Sequence, residues 1–515
     1  MPDARAAPVS GFLARVPLVV VLAGVLAASM YLPALHALGR DAHAEARAFF
    51  YWGTLLLAAV AAVGVATWRE RSTNVARSHL VALLMAFAAL PAMAALPLAS
   101  LLPDTRPVNL WLEMVAAATT TGGSLFSPDR LSPTGHLWRA LVAWQGGLLL
   151  WIAAAAILAP IHIGGFEVVQ DEEAPPHEAR GRMRQATPEL RLARAAERLW
   201  PVYAGLTIGL WMILALLGED PTRALIHAMS VLSTSGITPG GGVATSAAGI
   251  PGEIAVFAFL LFAVSRRTFS SDIYRGRVVH LYEDREIRIA SAIVALASLV
   301  LFARHWIGAY EVDAVTNLSA ALRALWGAAF TVLSFLTTTG FASSEWATAR
   351  AWSGLDTPAV MLMGLAMFGG GVATTAGGVK LLRMHALYAH GRREMNKLVH
   401  PHSVAGGRGA VRRIPFRGIE AAWVFFMLFA LSVAAVAMAL ALSGLTFERA
   451  LVLSVAALST TGPLAEVALG PVGGAGSGIA ALSDAARVIL AAAMVVGRLE
   501  TLALIALLNP DFWRG

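Results

Sequence analysis

A hydroxyl-hydroxyl-glycine triplet recurs four times along this 515-residue chain, at a spacing of roughly 100 to 120 residues. The copies are Thr120-Thr121-Gly122, Thr234-Ser235-Gly236, Thr338-Thr339-Gly340 and Thr460-Thr461-Gly462. Each ends an apolar stretch of about a dozen residues: Leu110 to Thr119, Thr222 to Ser233, Leu322 to Thr337 and Thr446 to Ser459. At about 1.5 Å per residue, a helix of that length reaches only about 18 Å, half a bilayer. Irregular backbone at such a depth is tolerated only where protein or a water-filled cavity satisfies its amides. Four equivalent passes are therefore expected to surround one axis.

The solvent for such a chain is set by composition: 57% of its residues are hydrophobic and 14% charged, more apolar surface than a water-soluble core can hide. Runs of bilayer length recur, from Pro17 to Leu38, from Phe49 to Thr67 and onward to the last helix before Asn509. The expected architecture is an all-α integral membrane protein of four pseudo-repeats. Each repeat reads as helix, pore half-helix, filter and helix around a central pore, with two N-terminal transmembrane helices ahead of them and about ten crossings in all. The divisions fall at 1–78 for the two-helix extension and at 79–198, 199–286, 287–416 and 417–515 for the repeats, the third carrying a broken helix. The first run could be a signal peptide, with Arg5 and Arg15 ahead of it and Ala27, Ala28 and Ser29 within. Its length and the second span close behind favour a retained helix.

The net charge of +7 is spread over loops rather than gathered in one patch, so no nucleic-acid partner is expected. With the N-terminus inside, one set of loops carries Arg69, Arg71 and Arg77, then Arg180 to Arg198, Arg266 to Arg288 and Lys380 to Arg417. The opposite loops hold scattered cases such as Arg40, Arg106, Arg130 and Arg449. The positive-inside rule then puts both termini in the cytoplasm. Cysteine is absent, which excludes disulfides and thiolate metal sites.

An ion entering a dry pore must exchange its hydration shell for oxygens, and backbone carbonyls supply them without a fixed charge that would trap it. Threonine and serine hydroxyls add ligands of the same kind. Glycine allows successive carbonyls to turn toward one axis, and each half-helix aims a partial negative charge inward. The chemistry suits a bare monovalent cation and disfavours anions.

These residues resemble the Trk/Ktr/HKT superfamily of potassium transporters, specifically the bacterial Trk-type membrane subunit, over nearly the whole chain. Beyond the triplets, the likeness rests on Trp144-Gln145-Gly146-Gly147 through Ile163-Gly164-Gly165 and on Gly369-Gly370-Gly371 followed by Thr374-Thr375-Ala376-Gly377-Gly378-Val379-Lys380. It extends to Gly497-Arg498-Leu499-Glu500 and the closing Asn509-Pro510-Asp511-Phe512-Trp513. The resemblance implies potassium uptake, with K+ as the transported ion and no cofactor in this chain. It implies a homodimer in the bacterial inner membrane above a cytosolic nucleotide-binding regulatory ring. The retained glycines are the pattern the superfamily associates with potassium over sodium. The stretch from Gly369 to Gly378 would be an intramembrane loop plugging the pore, with Arg498 facing it, and Glu113 occupies a position where the family commonly has an acid.

Read without the resemblance, Gly369 to Gly378 is Gly, Ala or Thr except for Val372, and such a stretch breaks a helix or lets helices pack closely. Arg498 needs a carbonyl, carboxylate or water if it lines the pathway, or it snorkels beside Glu500. Lys380 gates or anchors at the interface. Glu113 buttresses the filter or stands exposed at the mouth. The chain departs from the superfamily it resembles in two places: around Gly462-Pro463, Thr460 and Leu464 replace the Asn and Gly that many members carry, and the helix near Val264-Ser265-Arg266-Arg267 is short and lacks the family's glycine pair.

Other readings fit less well. No H-E-x-x-H occurs and Gly377-Gly378-Val379-Lys380 is no phosphate-binding loop, so an enzyme is not expected. His385, His390, His400 and His402 match no helical ligand spacing. A secondary transporter with a midplane substrate site is the nearer rival, but it would break two helices rather than show four half-helices. The loop from Lys380 to Arg417 is either a docking surface or a topology-setting segment.

Overall fold

The computed structural model describes residues 16–68, 75–159, 188–265, 284–308, 318–355, 357–399, 416–469, 479 and 482–500. Ile163 to Gly165, Asn509 to Trp513, His400 and His402 lie outside them, as do Arg5, Arg15, Arg69, Arg71 and most arginines of the other basic loops. Among the described residues every regular element is helical. Leu18–Ser29 and Tyr31–Leu38 make one interrupted span that pairs with His43–Ala66.

The four repeats then follow in order. The first has Val75–Ala88 and Leu90–Leu101, the short helix Pro107–Ala118, and the return helix Pro133–Ala153 continued through a π-turn over Ala154–Leu158. The second has Pro188–Leu216, Pro221–Ser233 and Gly249–Leu260; its first helix crosses the 198/199 division drawn from sequence. The third has Arg285–Gly308, Leu318–Leu336 and a return path broken between Ala359–Phe368 and Leu381–Val399. The fourth has Phe416–Leu442, Phe447–Leu458, the added Pro463–Leu469, and Asp484–Leu499.

Local chemistry sets the starts of the short and return helices. Asp220 accepts from the amides of Thr222 and Arg223 with Pro221 at the first helical position, where a missing N–H costs nothing. Ser132 and Ser483 cap the first and fourth return helices through the amides of Gly135 and Ala486.

Among the described residues eight helices are long and apolar enough to cross a membrane, and one of them is Leu318–Leu336. That helix corrects an expectation: the third short helix has 19 residues, not about a dozen. Its first turns stand clear of the protein, with Leu318 and Leu322 exposed, while Phe330 to Leu336 are buried. The remaining second-helix crossings are shorter: Gly249–Ala263, Ala359–Phe368 and Asp484–Leu499.

The first helices of repeats two, three and four face outward. Leu216 and Leu442 are 84% and 83% exposed, and Leu296, Leu431 and Met438 are also bare. Apolar surface on this scale, over helices of bilayer length, is covered by lipid. The short helices are the interior, with Leu110, Ala117, Val231, Phe335 and Leu458 fully enclosed.

Candidate functional site

The last turn of each short helix ends the same way. Thr120, Thr234, Thr338 and Thr460 all adopt left-handed backbone, with φ of 55°, 53°, 59° and 54°. A threonine pays a steric cost for this conformation, so its fourfold recurrence marks an enforced geometry. The amide of the next residue reaches back to a helix carbonyl in every copy: Thr121 to Ala116, Ser235 to Ser230, Thr339 to Ser334 and Thr461 to Ala456, at 2.8 to 2.9 Å. Gly122, Gly236 and Gly340 are left-handed as well (φ 79°, 65° and 83°), whereas Gly462 is not. It donates its amide to the Thr121 carbonyl at 2.6 Å instead.

The triplets touch in a closed circuit. A methyl group added to Gly122 would collide with the Ser235 carbonyl, and one on Gly236 with the Thr339 carbonyl and the Pro463 ring. On Gly340 it would meet Pro463 at 3.0 Å, and on Gly462 it would strike Gly123 and the Thr121 carbonyl. These contacts run from repeat one to two, two to three, three to four and four to one. The C-terminal ends of four short helices thus converge on a ring of backbone, which concentrates their partial negative charge there.

A hydroxyl one residue before each triplet, which the sequence reading left as the end of the half-helix, takes part in all four copies. Thr119, Ser233, Thr337 and Ser459 each donate to the carbonyl four residues back, at 2.6 to 3.0 Å. Each also hydrogen-bonds the second hydroxyl of its triplet, at 2.9 to 3.2 Å. The second hydroxyl is therefore tied to the helix end. The first hydroxyls differ: Thr234 donates to the Ser233 carbonyl at 2.7 Å and Thr338 accepts from the Gly377 amide at 2.9 Å. The Oγ1 atoms of Thr120 and Thr460 are buried with no hydrogen-bond partner.

A supporting shell stands behind the ring. Glu113 is 1% exposed; it accepts from the Leu125 amide at 2.8 Å and the Ser124 hydroxyl at 2.9 Å, and pairs with the buried Arg139 at 2.5 Å. The exposed-mouth alternative for Glu113 therefore does not hold. Seven residues before the triplet, the same register holds His227 and Thr331, which bond Thr238 Oγ1 at 3.1 Å and the Ser343 amide at 3.2 Å. In the fourth repeat that register is Leu453, which is buried and apolar. Glu253, on the second repeat's return helix, accepts from Ser343 Oγ, the Ser344 amide and Trp326 Nε1 at 2.6, 2.6 and 2.8 Å. Arg139, His227 and Glu253 were not singled out from sequence: the contacts of Glu253 cross 73 to 91 residues, and those of Arg139 and His227 depend on how the short helix packs on its return segment.

Below the ring lies the glycine-rich break. The helix ending at Phe368 stops at Gly369, which is left-handed at φ 62°. The chain folds back on itself, with Val379 donating to the Met367 carbonyl and Leu381 to that of Gly370. Besides the Gly377 contact to Thr338, Thr375 Oγ1 donates to the Leu232 carbonyl at 3.0 Å, at the end of the second short helix. Thr374 Oγ1 caps the Gly371 carbonyl, and the Gly371 amide reaches the Ala263 carbonyl. Gly377 lies so close to Ser459 and Thr460 that a side chain there would overlap both, while Gly378 is left-handed at φ 66° and packs on Ala366 and Met367. Lys380 is buried and its amine donates to the Ala376 carbonyl.

Arg498, 2% exposed, donates Nη1 to the Thr375 carbonyl at 2.7 Å. The snorkelling alternative is not what the structure shows. Glu500 pairs with Arg383 at 2.8 Å, and Arg383, fully buried, also stacks 3.8 Å from the centre of the Phe425 ring. A cavity beneath the loop is lined by Leu150, Ala154, Leu158, Lys380, Gly497 and Arg498. On the outer side a pocket of about 340 Å³ is bounded by Arg106, Asn109, Phe126 and Arg130. On its rim Asp104 has a carboxyl held below its ordinary range by the Arg130 hydrogen bond. No group of three or more His, Cys, Asp or Glu able to hold a metal occurs among the described residues.

Comparison with known proteins gives a consistent answer. A family model described as a cation transport protein, TrkH, matches residues 287–511. The Trk system potassium uptake protein TrkH of Salmonella typhimurium is 30% identical over 424 residues, 80% of each chain. TrkI of Halomonas elongata is 28% identical over 95% of this chain and 94% of its own. The crystal structure of the potassium transporter TrkH from Vibrio parahaemolyticus superposes with a TM-score of 0.78 at 25% identity, over 98% of this chain and 100% of the other.

Proposed function

Because the chain belongs to the TrkH family of cation transport proteins, a family of multi-pass membrane transporters rather than enzymes, we propose that it carries potassium into the cell through the ring of four triplets. Thr120, Thr121, Gly122, Thr234, Ser235, Gly236, Thr338, Thr339, Gly340, Thr460, Thr461 and Gly462 form the filter in this reading. The observation that carries it is the closed circuit of backbone contacts, with four left-handed threonines at equivalent positions. A ring of carbonyls at the meeting point of four helix C-termini replaces a cation's hydration shell and repels anions. The open hydroxyls of Thr120 and Thr460 supply further oxygens.

The loop through Gly370, Gly371, Thr374, Thr375, Gly377 and Gly378 is the gate. Arg498 and Lys380 brace it through the carbonyls of Thr375 and Ala376, and Glu113 holds the filter's outer return strand. The named relatives are potassium uptake proteins of the Trk system, which supports potassium as the cargo; a homodimer in the bacterial inner membrane, with both termini cytoplasmic by the positive-inside rule, completes the proposal. The chain shows no nucleotide fingerprint, so control by nucleotide falls to a cytosolic ring docking on the basic segment from Lys380 to Arg417.

The test is uptake of rubidium and sodium by vesicles carrying the purified chain. Rubidium uptake well above sodium is expected. Equal uptake of both ions, or of neither, overturns the reading.

A further inference from the structure

Three buried carboxylates stand behind the ring on its outer side among the described residues, and they differ in how their charge is answered. Glu113 is matched by Arg139 at 2.5 Å, both almost fully enclosed. Glu219 lies against His227 at 2.9 Å and Arg223 at 3.6 Å. Glu253 is 0% exposed and accepts three hydrogen bonds, yet no arginine, lysine or histidine among the described residues forms an ion pair with it.

A buried carboxylate is costly to desolvate, and three neutral donors do not cancel its charge. Its position says where the missing positive charge belongs. Two of its donors come from Ser343 and Ser344, on the strand that leaves the third triplet. Ser343 is three residues past Gly340, which bounds the Cα separation at about 10 Å. The third donor, Trp326 Nε1, sits on the short helix of the same repeat. Glu253 therefore clamps the third filter strand from a neighbouring repeat and directs an unanswered negative charge toward the ring.

We propose that Glu253 is the filter's fixed counter-charge: the cation in the ring is the partner that this carboxylate lacks, and Glu253 thereby sets how tightly the ion is held. The inference rests on the potassium-uptake reading and adds to it a specific residue outside the triplets. It also assigns different tasks to two similar acids. Glu113, neutralised by Arg139, positions its strand; Glu253 positions and attracts.

The test is the potassium concentration dependence of rubidium-traced uptake by the full chain in vesicles, for wild type, E253Q and E253D. With the reach of the hydrogen-bonded side chains added to the Gly340-to-Ser343 span, one unit charge at roughly 10 to 15 Å in a medium of effective dielectric about 20 changes ion affinity on the order of tenfold. E253Q is expected to raise the half-saturating potassium concentration by about that factor, with its maximal rate less affected, whereas E253D keeps the charge and stays within about twofold of wild type. A folded E253Q with unchanged half-saturation overturns the proposal, leaving Glu253 a hydrogen-bonding clamp only. Should E253Q fail to fold, E253D decides, and an Asp variant shifted as far as tenfold overturns it. A wild-type protein that carries no rubidium overturns the uptake reading and this inference together; an active wild type with an indifferent E253Q overturns this inference alone.

Discussion

The amide of Gly377 donates to the hydroxyl of Thr338 at 2.9 Å, joining the intramembrane loop directly to the base of the third triplet. The same glycine leaves no room for a side chain against Ser459 and Thr460. Loop and triplets therefore share a surface, and whatever displaces the loop also frees a hydroxyl in the ring.

Replacing Gly377 with alanine should push the loop away from the fourth short helix and break the bond to Thr338. A hydrogen bond of this kind contributes about 1 kcal/mol, so basal rubidium flux in the absence of any partner is expected to rise about fivefold. Flux through G377A vesicles at or below wild type would count against the loop as a barrier. Shortening Gly369 to Gly378 should act in the same direction.

Arg498→Met tests the brace. Loss of the charged donor to the Thr375 carbonyl, at 2.7 Å, removes about 2 kcal/mol of restraint on the closed loop. Elevated basal flux with unaltered rubidium over sodium preference is expected, measured by paired tracer uptake. A changed preference without increased flux would place Arg498 in the filter's support and not at the gate.

Gly340→Ser bears on the ring itself. Gly340 holds φ at 83° beside Pro463, a conformation that a side chain disfavours. The serine variant should turn or displace the carbonyls of its strand and raise sodium uptake relative to rubidium. Unchanged ratios would remove the third triplet from the filter.

Arg139→Met strands the Glu113 carboxylate in the interior. Breaking one half of a buried pair costs about 3–5 kcal/mol, so the melting temperature in detergent should fall sharply, and adding E113Q should restore most of it. If the double variant is no more stable than R139M, the two side chains are not energetically coupled.

The all-helical membrane class, the four triplets and the break from Gly369 to Gly378 were legible because each is a local property: apolar run length, a repeated motif and a decapeptide unable to hold a helix. Arg498's depth in its helix likewise forced the expectation of a polar partner. The length of Leu318–Leu336 was less legible, since an apolar run does not mark where a helix leaves its protein neighbours. The hydroxyls of Thr119, Ser233, Thr337 and Ser459 were visible as letters. Their shared role needs the backbone turn that brings residues two apart into contact.

The sequence by itself determined that this chain lives in a bilayer and passes a hydroxyl-glycine strand through it four times, because hydropathy and backbone freedom act over neighbouring residues. Only the tertiary structure decided that Arg139 answers Glu113 while Glu253 has no cationic partner among the described residues. It alone showed that the loop after Gly369 reaches Thr338 and Arg498. Charge compensation depends on distance through space, and residues more than a hundred positions apart come within 3 Å only once the helices have packed.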